Sequence, residues 1–289
     1  MGKYEIKDKY LRKLYRIKGL MPDVYAISSS AVQCFLVVGR TKAMLVDTAY
    51  GFGDLSKVVK ELTDFPVMVV NSHCHVDHSG GNFFFGTPVY IHEADRALYK
   101  RHNSPEIHRL MEKSLRIFNK IFFWRILVPR HPDEFDDKRE NFDNFCYLQD
   151  GDTFDLGSLT AEIIHIPGHT QGSVAILFRE MKLLITSDGA NPGTYLFLPE
   201  STTVARYIES LHKLEGFDFD KILTGHSDTL FPSSALQEWI NVAEHLGLSH
   251  AREGKESLVA PGVTQLLVWA EDDPGHKGPH LEIDRNKIK

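Results

Sequence analysis

Cysteine is scarce in this chain, with three among 289 residues: Cys34, Cys74 and Cys146. An odd, widely spaced set gives no disulfide framework and fits a reducing, cytoplasmic setting. Long apolar runs are missing too. The nearest approach, Ile121 to Val128, carries Arg125 and falls short of the ~18 residues that a membrane span needs. Nor is there a basic surplus. Lys and Arg number 33 against 39 Asp and Glu, a net charge of −6, which argues against a general nucleic-acid partner. No apolar segment follows the N-terminal lysines, so no secretory leader is expected. Position 6 is Ile6, which removes a myristoylation signal.

Histidine, by contrast, is plentiful: 15 residues. Neutral imidazole is the commonest metal ligand, so the count points to metal or acid–base chemistry. The first eighteen residues hold Lys3, Lys7, Lys9, Arg12, Lys13, Arg16 and Lys18 against Glu5 and Asp8. Tyr10, Leu11, Leu14 and Tyr15 there keep helical spacing, which predicts a short amphipathic helix packed on the body with a solvated basic face.

Residues 23–47 read as strand, strand, turn, strand, closing on Asp47, and Leu55, Val58, Val59 and Leu62 follow at helical spacing. A fully apolar strand, Pro66 to Val70, runs into a polar, Gly-rich loop. Further strands are expected at 88–91, 159–166, 173–178 and 183–186, and helices at 203–214 and 233–246. Between them, residues 103–145 read as a helical insertion, a lid or pocket wall with Phe118, Phe122, Phe123 and Trp124 as its aromatics. From about 254 the chain reads as a polar tail with one strand-like run at 263–270. Strands with interleaved helices make an α/β chain, taken as a single domain over 1–289.

The loop after the apolar strand reads Asn71-Ser72-His73-Cys74-His75-Val76-Asp77-His78-Ser79-Gly80-Gly81. Four ligand-type side chains this close cannot all be ordinary core residues, because buried polar and charged groups need partners. From a strand end, His73 and His75 can grip one cation while Asp77 and His78 reach a second. Gly80 and Gly81 are expected to give the backbone freedom to wrap the ions. Cys74 alternates away from the two histidines and is read as a small hydrophobe.

This loop resembles the His-x-His-x-Asp-His signature of the metallo-β-lactamase superfamily, and later segments resemble its other motifs in order. They are Pro167-Gly168-His169-Thr170, Ile185-Thr186-Ser187-Asp188-Gly189 and Leu223-Thr224-Gly225-His226, with Asp47 matching the first. The resemblance implies a four-layer αββα sandwich. It implies one metal ion held by His73, His75, His169 and Asp188, and a second by Asp77, His78, His226 and the same Asp188. Asp47 would support the ligand loop without touching metal. An imidazole and carboxylate set without thiolate suits Zn²⁺, Fe²⁺ or Mn²⁺, and two Zn²⁺ ions are the expected cofactor. His165 is read as a support to the ligands or a structural residue, not as a ligand.

The implied chemistry is hydrolysis by a hydroxide held between two cations, with Asp77 orienting it and handling its proton. True β-lactamases of the superfamily generally lack the bridging aspartate, so Asp188 favours other substrates. The ligand set is similar to that of the glyoxalase II and lactonase branches, which act on ester, thioester or lactone bonds. The stretch after Asp188 lacks the Cys and Arg of a glutathione site. Tyr195, seven residues after Asp188, matches a lactonase tyrosine that assists the attacked carbonyl, although a pocket-wall role fits equally. A phosphodiesterase, or a mono-iron persulfide dioxygenase using His73, His169 and Asp188, stays open as an alternative. The expected partner is a small, partly apolar substrate, with a homodimer through the helical insertion as a further expectation.

Overall fold

Val67-Met68-Val69-Val70 is a short, wholly apolar strand whose last two residues are buried, and it sits inside a sheet that explains how the histidine loop is presented. The computed structural model describes residues 3–122, 136–254 and 263–288. The chain divides into two compact units. The first comprises Met1–Leu148, Phe154–Thr160 and His226–Asp228. The second comprises Gln149–Thr153, Ala161–Gly225 and Thr229–Lys289.

The first unit runs β1 (Lys3–Tyr4), α1 (Leu11–Leu14), β2 (Tyr15–Met21), β3 (Val24–Ser29), β4 (Val32–Val38), β5 (Ala43–Val46), α2 (Leu55–Lys60), β6 (Val67–Val70), α3 (Val76–Ser79), β7 (Val89–His92), α4 (Arg96–His102), α5 (Pro105–Phe122), α6 (Asp136–Glu140) and β8 (Phe145–Leu148). Its strands lie side by side in chain order. They are antiparallel from β1 to β5 and parallel from β5 to β8. Parallel strands need crossover helices, which α2 and α4 supply; both lay apolar side chains such as Val58 and Tyr99 into the same core as Leu36, Leu45 and Val69. Val46 pairs with Val70 across β5 and β6. The residues that follow, Asp47 and the histidine loop, therefore leave the carboxyl ends of adjacent strands, where α/β sheets build their sites.

Two expectations need correction here. The N-terminal basic helix is a single turn, because from Tyr15 the burial alternates in-out, the period of a strand, and β2 pairs with β3. The 103–145 segment is helical through α5 and again in α6, but Phe145 opens β8, parallel to β7. Phe123 and Trp124 lie outside the described residues, and with them the lid and dimer roles assigned to this stretch.

Between the units in sequence comes β9 (Thr153–Asp155). The second unit then runs β10 (Thr160–His165), β11 (Val174–Phe178), β12 (Leu183–Ile185), β13 (Gly193–Leu196), α7 (Val204–Leu214), β14 (Lys221–Leu223), β15 (Phe231–Pro232), α8 (Ala235–Glu244), β16 (Arg252–Glu253), β17 (Gln265–Trp269) and β18 (His280–Asp284). One sheet follows the order β15-β14-β12-β11-β10 and another β13-β18-β17-β16. α7 begins where Thr203 caps it, its hydroxyl accepting from the Arg206 amide. Tyr207 and Leu211 of α7, with Trp239 and Ile240 of α8, bury against Ile164, Leu177 and Leu184.

The expected polar tail is therefore structured, with β18 pairing to both β13 and β17. Only Leu281 and Ile283 mark β18 as apolar on one face, too little for a local pattern to reveal; its partners are distant in sequence. Among the described residues no helix is long and apolar enough to cross a membrane.

Candidate metal centre

In the first unit the site begins with Asp47 at the end of β5 and the loop at the end of β6. Asp47 Oδ1 accepts the Ser72 amide at 2.8 Å, and Oδ2 accepts the Ser72 hydroxyl at 2.9 Å and His78 Nδ1 at 2.8 Å. Ser72 has one hydroxyl proton and spends it on Asp47, so the 3.0 Å contact of its Oγ with His73 Nδ1 is a bond the imidazole donates. His226 Nδ1 donates to the Ala31 carbonyl at 2.9 Å. These three histidines are thus fixed in the tautomer that leaves Nε2 as the acceptor.

The structure brings His73, His75, Asp77, His78 and His226 together within this unit. Ring centroids of His73 lie 4.8 Å from His75 and 4.2 Å from His78, and His78 lies 5.4 Å from His226. Asp77 Oδ2 stands 3.6 Å from His78 Nε2 and 3.7 Å from His226 Nε2. Those spacings exceed a hydrogen bond but approach the edge, about 3.4 Å, of a tetrahedron with zinc–nitrogen bonds of about 2.1 Å. His73, His75 and His78 are buried, whereas the His226 side chain is 45% exposed and marks the open side.

The two glycines closing the loop act differently from expectation. Their φ values are an ordinary −64° for Gly80 and −98° for Gly81. What excludes a side chain is space: a Cβ would stand 2.5 Å from the Tyr50 carbonyl at Gly80 and 2.4 Å from the Thr48 carbonyl at Gly81. The backbone behind the motif is tied down by the Thr48 amide donating to the His78 carbonyl at 2.7 Å and by Asn71 Nδ2 donating to the same oxygen at 3.1 Å.

In the second unit His169 follows β10 and Asp188 follows β12. His169 Nδ1 donates to the Tyr195 carbonyl at 2.8 Å, and Ser201 Oγ donates to the His169 carbonyl at 2.8 Å. His169 Nε2 and Asp188 Oδ2 are 3.7 Å apart, the same spacing as in the other unit. Tyr195 therefore steadies a histidine through its backbone, while its side chain is 43% exposed. His165 Nε2 bonds to the Gln171 carbonyl and stays apart from these groups.

The donor set fits divalent metal. Four imidazoles use Nδ1 on protein groups, and those of His78, His226 and His169 turn Nε2 toward carboxylates. Anchoring one ring nitrogen is how proteins orient metal-binding histidines. Cys74 fits its assigned part: burial and the nearby Asp95 charge push its thiol pKa up, so it remains protonated. Sequence reading missed three contributors. Ser72, beside His73, relays Asp47 to it; only its place inside the motif could have flagged it. His102 of α4 stacks on His75 with centroids 4.6 Å apart, and buried Arg139 donates to the Gly80 carbonyl at 3.2 Å. Neither carries a local signal.

A family model described as the metallo-β-lactamase superfamily matches residues 29–226. The human acyl-coenzyme A thioesterase MBLAC2 is 25% identical over 240 residues, 77% of this chain and 82% of the relative. An uncharacterised protein of Mycobacterium bovis is 30% identical over 151 residues, 50% of this chain and 59% of that protein. A metallo-β-lactamase of Erythrobacter litoralis superposes with a TM-score of 0.55 at 17% identity, covering 80% of this chain and 96% of the other. A metallo-β-lactamase family protein of Thermus thermophilus gives 0.52 at 23% identity and 78% coverage of both chains. The fold is that of these structures.

Proposed function

The chain belongs to the metallo-β-lactamase superfamily, and from that premise we propose that it is a two-metal thioester hydrolase. The observation that carries the reading is the common orientation of His73, His78, His169 and His226, each bonded through Nδ1. His73, His75, His169 and Asp188 would hold one ion, and Asp77, His78, His226 and Asp188 the other, with Zn²⁺ as the proposed metal. The name of the human relative favours the thioester, and Asp188 disfavours a β-lactam.

When bound, the ions supply Lewis acidity and a water acidic enough to ionise near neutral pH. Asp77 would accept a hydrogen from such a water and so orient it for attack on the acyl carbon. The Tyr195 hydroxyl donates toward the carbonyl oxygen as it gains charge. A thiol leaves as thiolate without an acid, since its pKa is about 8.5, so no further proton donor is required of the chain.

The test is a panel of acyl-CoA thioesters, lactones, phosphodiesters and β-lactams on metal-loaded protein, with Asp188→Ala and metal-stripped protein as controls. Thioester hydrolysis that both controls lose is the expected result. Hydrolysis confined to phosphodiesters, or a full rate after stripping, overturns the proposal. One iron per chain in place of two ions would redirect it to the dioxygenase alternative.

A further inference from the structure

The basic N-terminal segment finds no use in the chemistry above, yet the fold directs it to one place. α1, β1 and β2 wall a cleft of about 1000 Å³ whose lining includes Arg12, Arg16, Lys18 and the exposed ligand-type residue His226. Arg16 and Lys18 are two apart on β2 and so share its solvent face. Lys18 pairs with Asp228 at 2.9 Å and Arg12 with Glu5, both exposed pairs of the kind worth little in water. Arg16 has no ion-pair partner among the described residues. In a chain of net charge −6, a large cleft with an uncompensated guanidinium is a local exception to the overall charge. Ser28, opposite Arg16 across β2 and β3, and Gln33, which accepts from the Ser28 hydroxyl at 2.6 Å, add polar groups to the lining.

We infer that this cleft binds the phosphorylated end of the thioester's leaving group, a nucleotide-bearing thiol of the coenzyme A type, with Arg16 as the principal phosphate contact. The inference takes its substrate from the thioester reading. Its geometry does not depend on that reading: the cleft is large enough for a ligand of this size, guanidinium is the side chain suited to forked phosphate contacts, and His226 joins the cleft to the proposed metal centre. Phosphate would compete with Glu5 and Asp228 for Arg12 and Lys18 at little cost, because both pairs are exposed.

Calorimetric titration of the metal-loaded protein with desulfo-coenzyme A, which has no thiol to bind metal, separates the two readings. Desulfo-coenzyme A is expected to bind and adenosine not, with Arg16→Glu weakening binding at least about tenfold and Arg16→Lys falling between. In turnover, Arg16→Glu should raise KM for an acyl-CoA and leave an acyl-N-acetylcysteamine unchanged. Equal affinity of wild type and Arg16→Glu for desulfo-coenzyme A overturns the inference. So does loss of binding to phosphatidylserine vesicles in Arg16→Glu with desulfo-coenzyme A binding intact, which would make this face a membrane contact. Arg16-dependent desulfo-coenzyme A binding without hydrolysis of any thioester upholds the cleft and overturns the proposed activity.

Discussion

Asp47 Oδ2 lies 2.8 Å from His78 Nδ1, with both side chains wholly buried. The carboxylate also fixes Ser72, and through it His73, so one aspartate sets the tautomers of two histidines proposed for different ions. Asp47 itself sits at φ 67°, a left-handed conformation that Asp and Asn tolerate better than other residues. Asp47→Asn is therefore the informative variant, since it keeps the backbone and removes the charge. Metal content after dialysis should fall, and thioester hydrolysis should drop by about 10–100-fold, with the far-ultraviolet spectrum unchanged. Full metal content with full activity would show that Asp47 is a fold residue only.

How far the sequence reveals this site depends on the range of each signal. The loop from His73 to His78 is legible because six consecutive residues carry it, β6 because it is a short, wholly apolar run, and α7 because its buried residues recur at helical spacing. Asp47 and Asp188 needed the resemblance to a family, since a lone aspartate at a strand end has no pattern of its own. β18 and the α6 residue Arg139 were invisible for a related reason. β18 is defined by Tyr195↔Glu282 and Leu267↔Glu282 pairings with distant strands, and Arg139 reaches 59 residues back to Gly80. The Gly80 and Gly81 expectation failed because composition suggests conformational freedom where the packing demands absence of volume.

Gly51 combines both demands. Its φ is 73°, and a Cβ there would stand 2.2 Å from the Gly80 carbonyl. Since backbone cannot yield as a flexible side chain does, Gly51→Ala should push the loop between Asp77 and Asn82 outward. The expected loss is about 2 kcal/mol or more in denaturant unfolding, with weaker metal retention. A variant as stable and as metal-rich as wild type would mean that the two loops separate freely.

Arg139 holds the same two glycines from the other side. Its guanidinium is fully buried, donating through Nε to the Gly80 carbonyl at 3.2 Å and through Nη2 to the Gly51 carbonyl at 3.4 Å, and it lies 5.4 Å over the Phe83 ring. Arg139→Met would fill much of the volume and leave the carbonyls without those donors. A loss of about 2–4 kcal/mol is expected from unfolding curves. Arg139→Lys should recover only part, because a point charge cannot span both oxygens. Full recovery by Lys would show that the charge, and not the fork, is what the site uses.

His108 should make the first unit sensitive to acid. It is fully buried on α5 against Phe52, with ring centroids 5.5 Å apart. Burial, aided by the Arg139 charge, pushes its pKa down to about 3 from 6.5. The imidazole is therefore neutral in the folded chain and protonated in the unfolded chain below 6.5. The unfolded state binds the extra proton, so stability is complete above that pH and declines as pH falls toward 3. Between pH 6.5 and 5 this one residue should remove about 1–2 kcal/mol, from the slope of 1.36 kcal/mol per unit. His108→Phe deletes the titrating group while keeping an aromatic ring there, and should flatten that part of the profile. Parallel profiles for wild type and variant in urea unfolding at pH 5 to 7 would mean that His108 is protonated without cost.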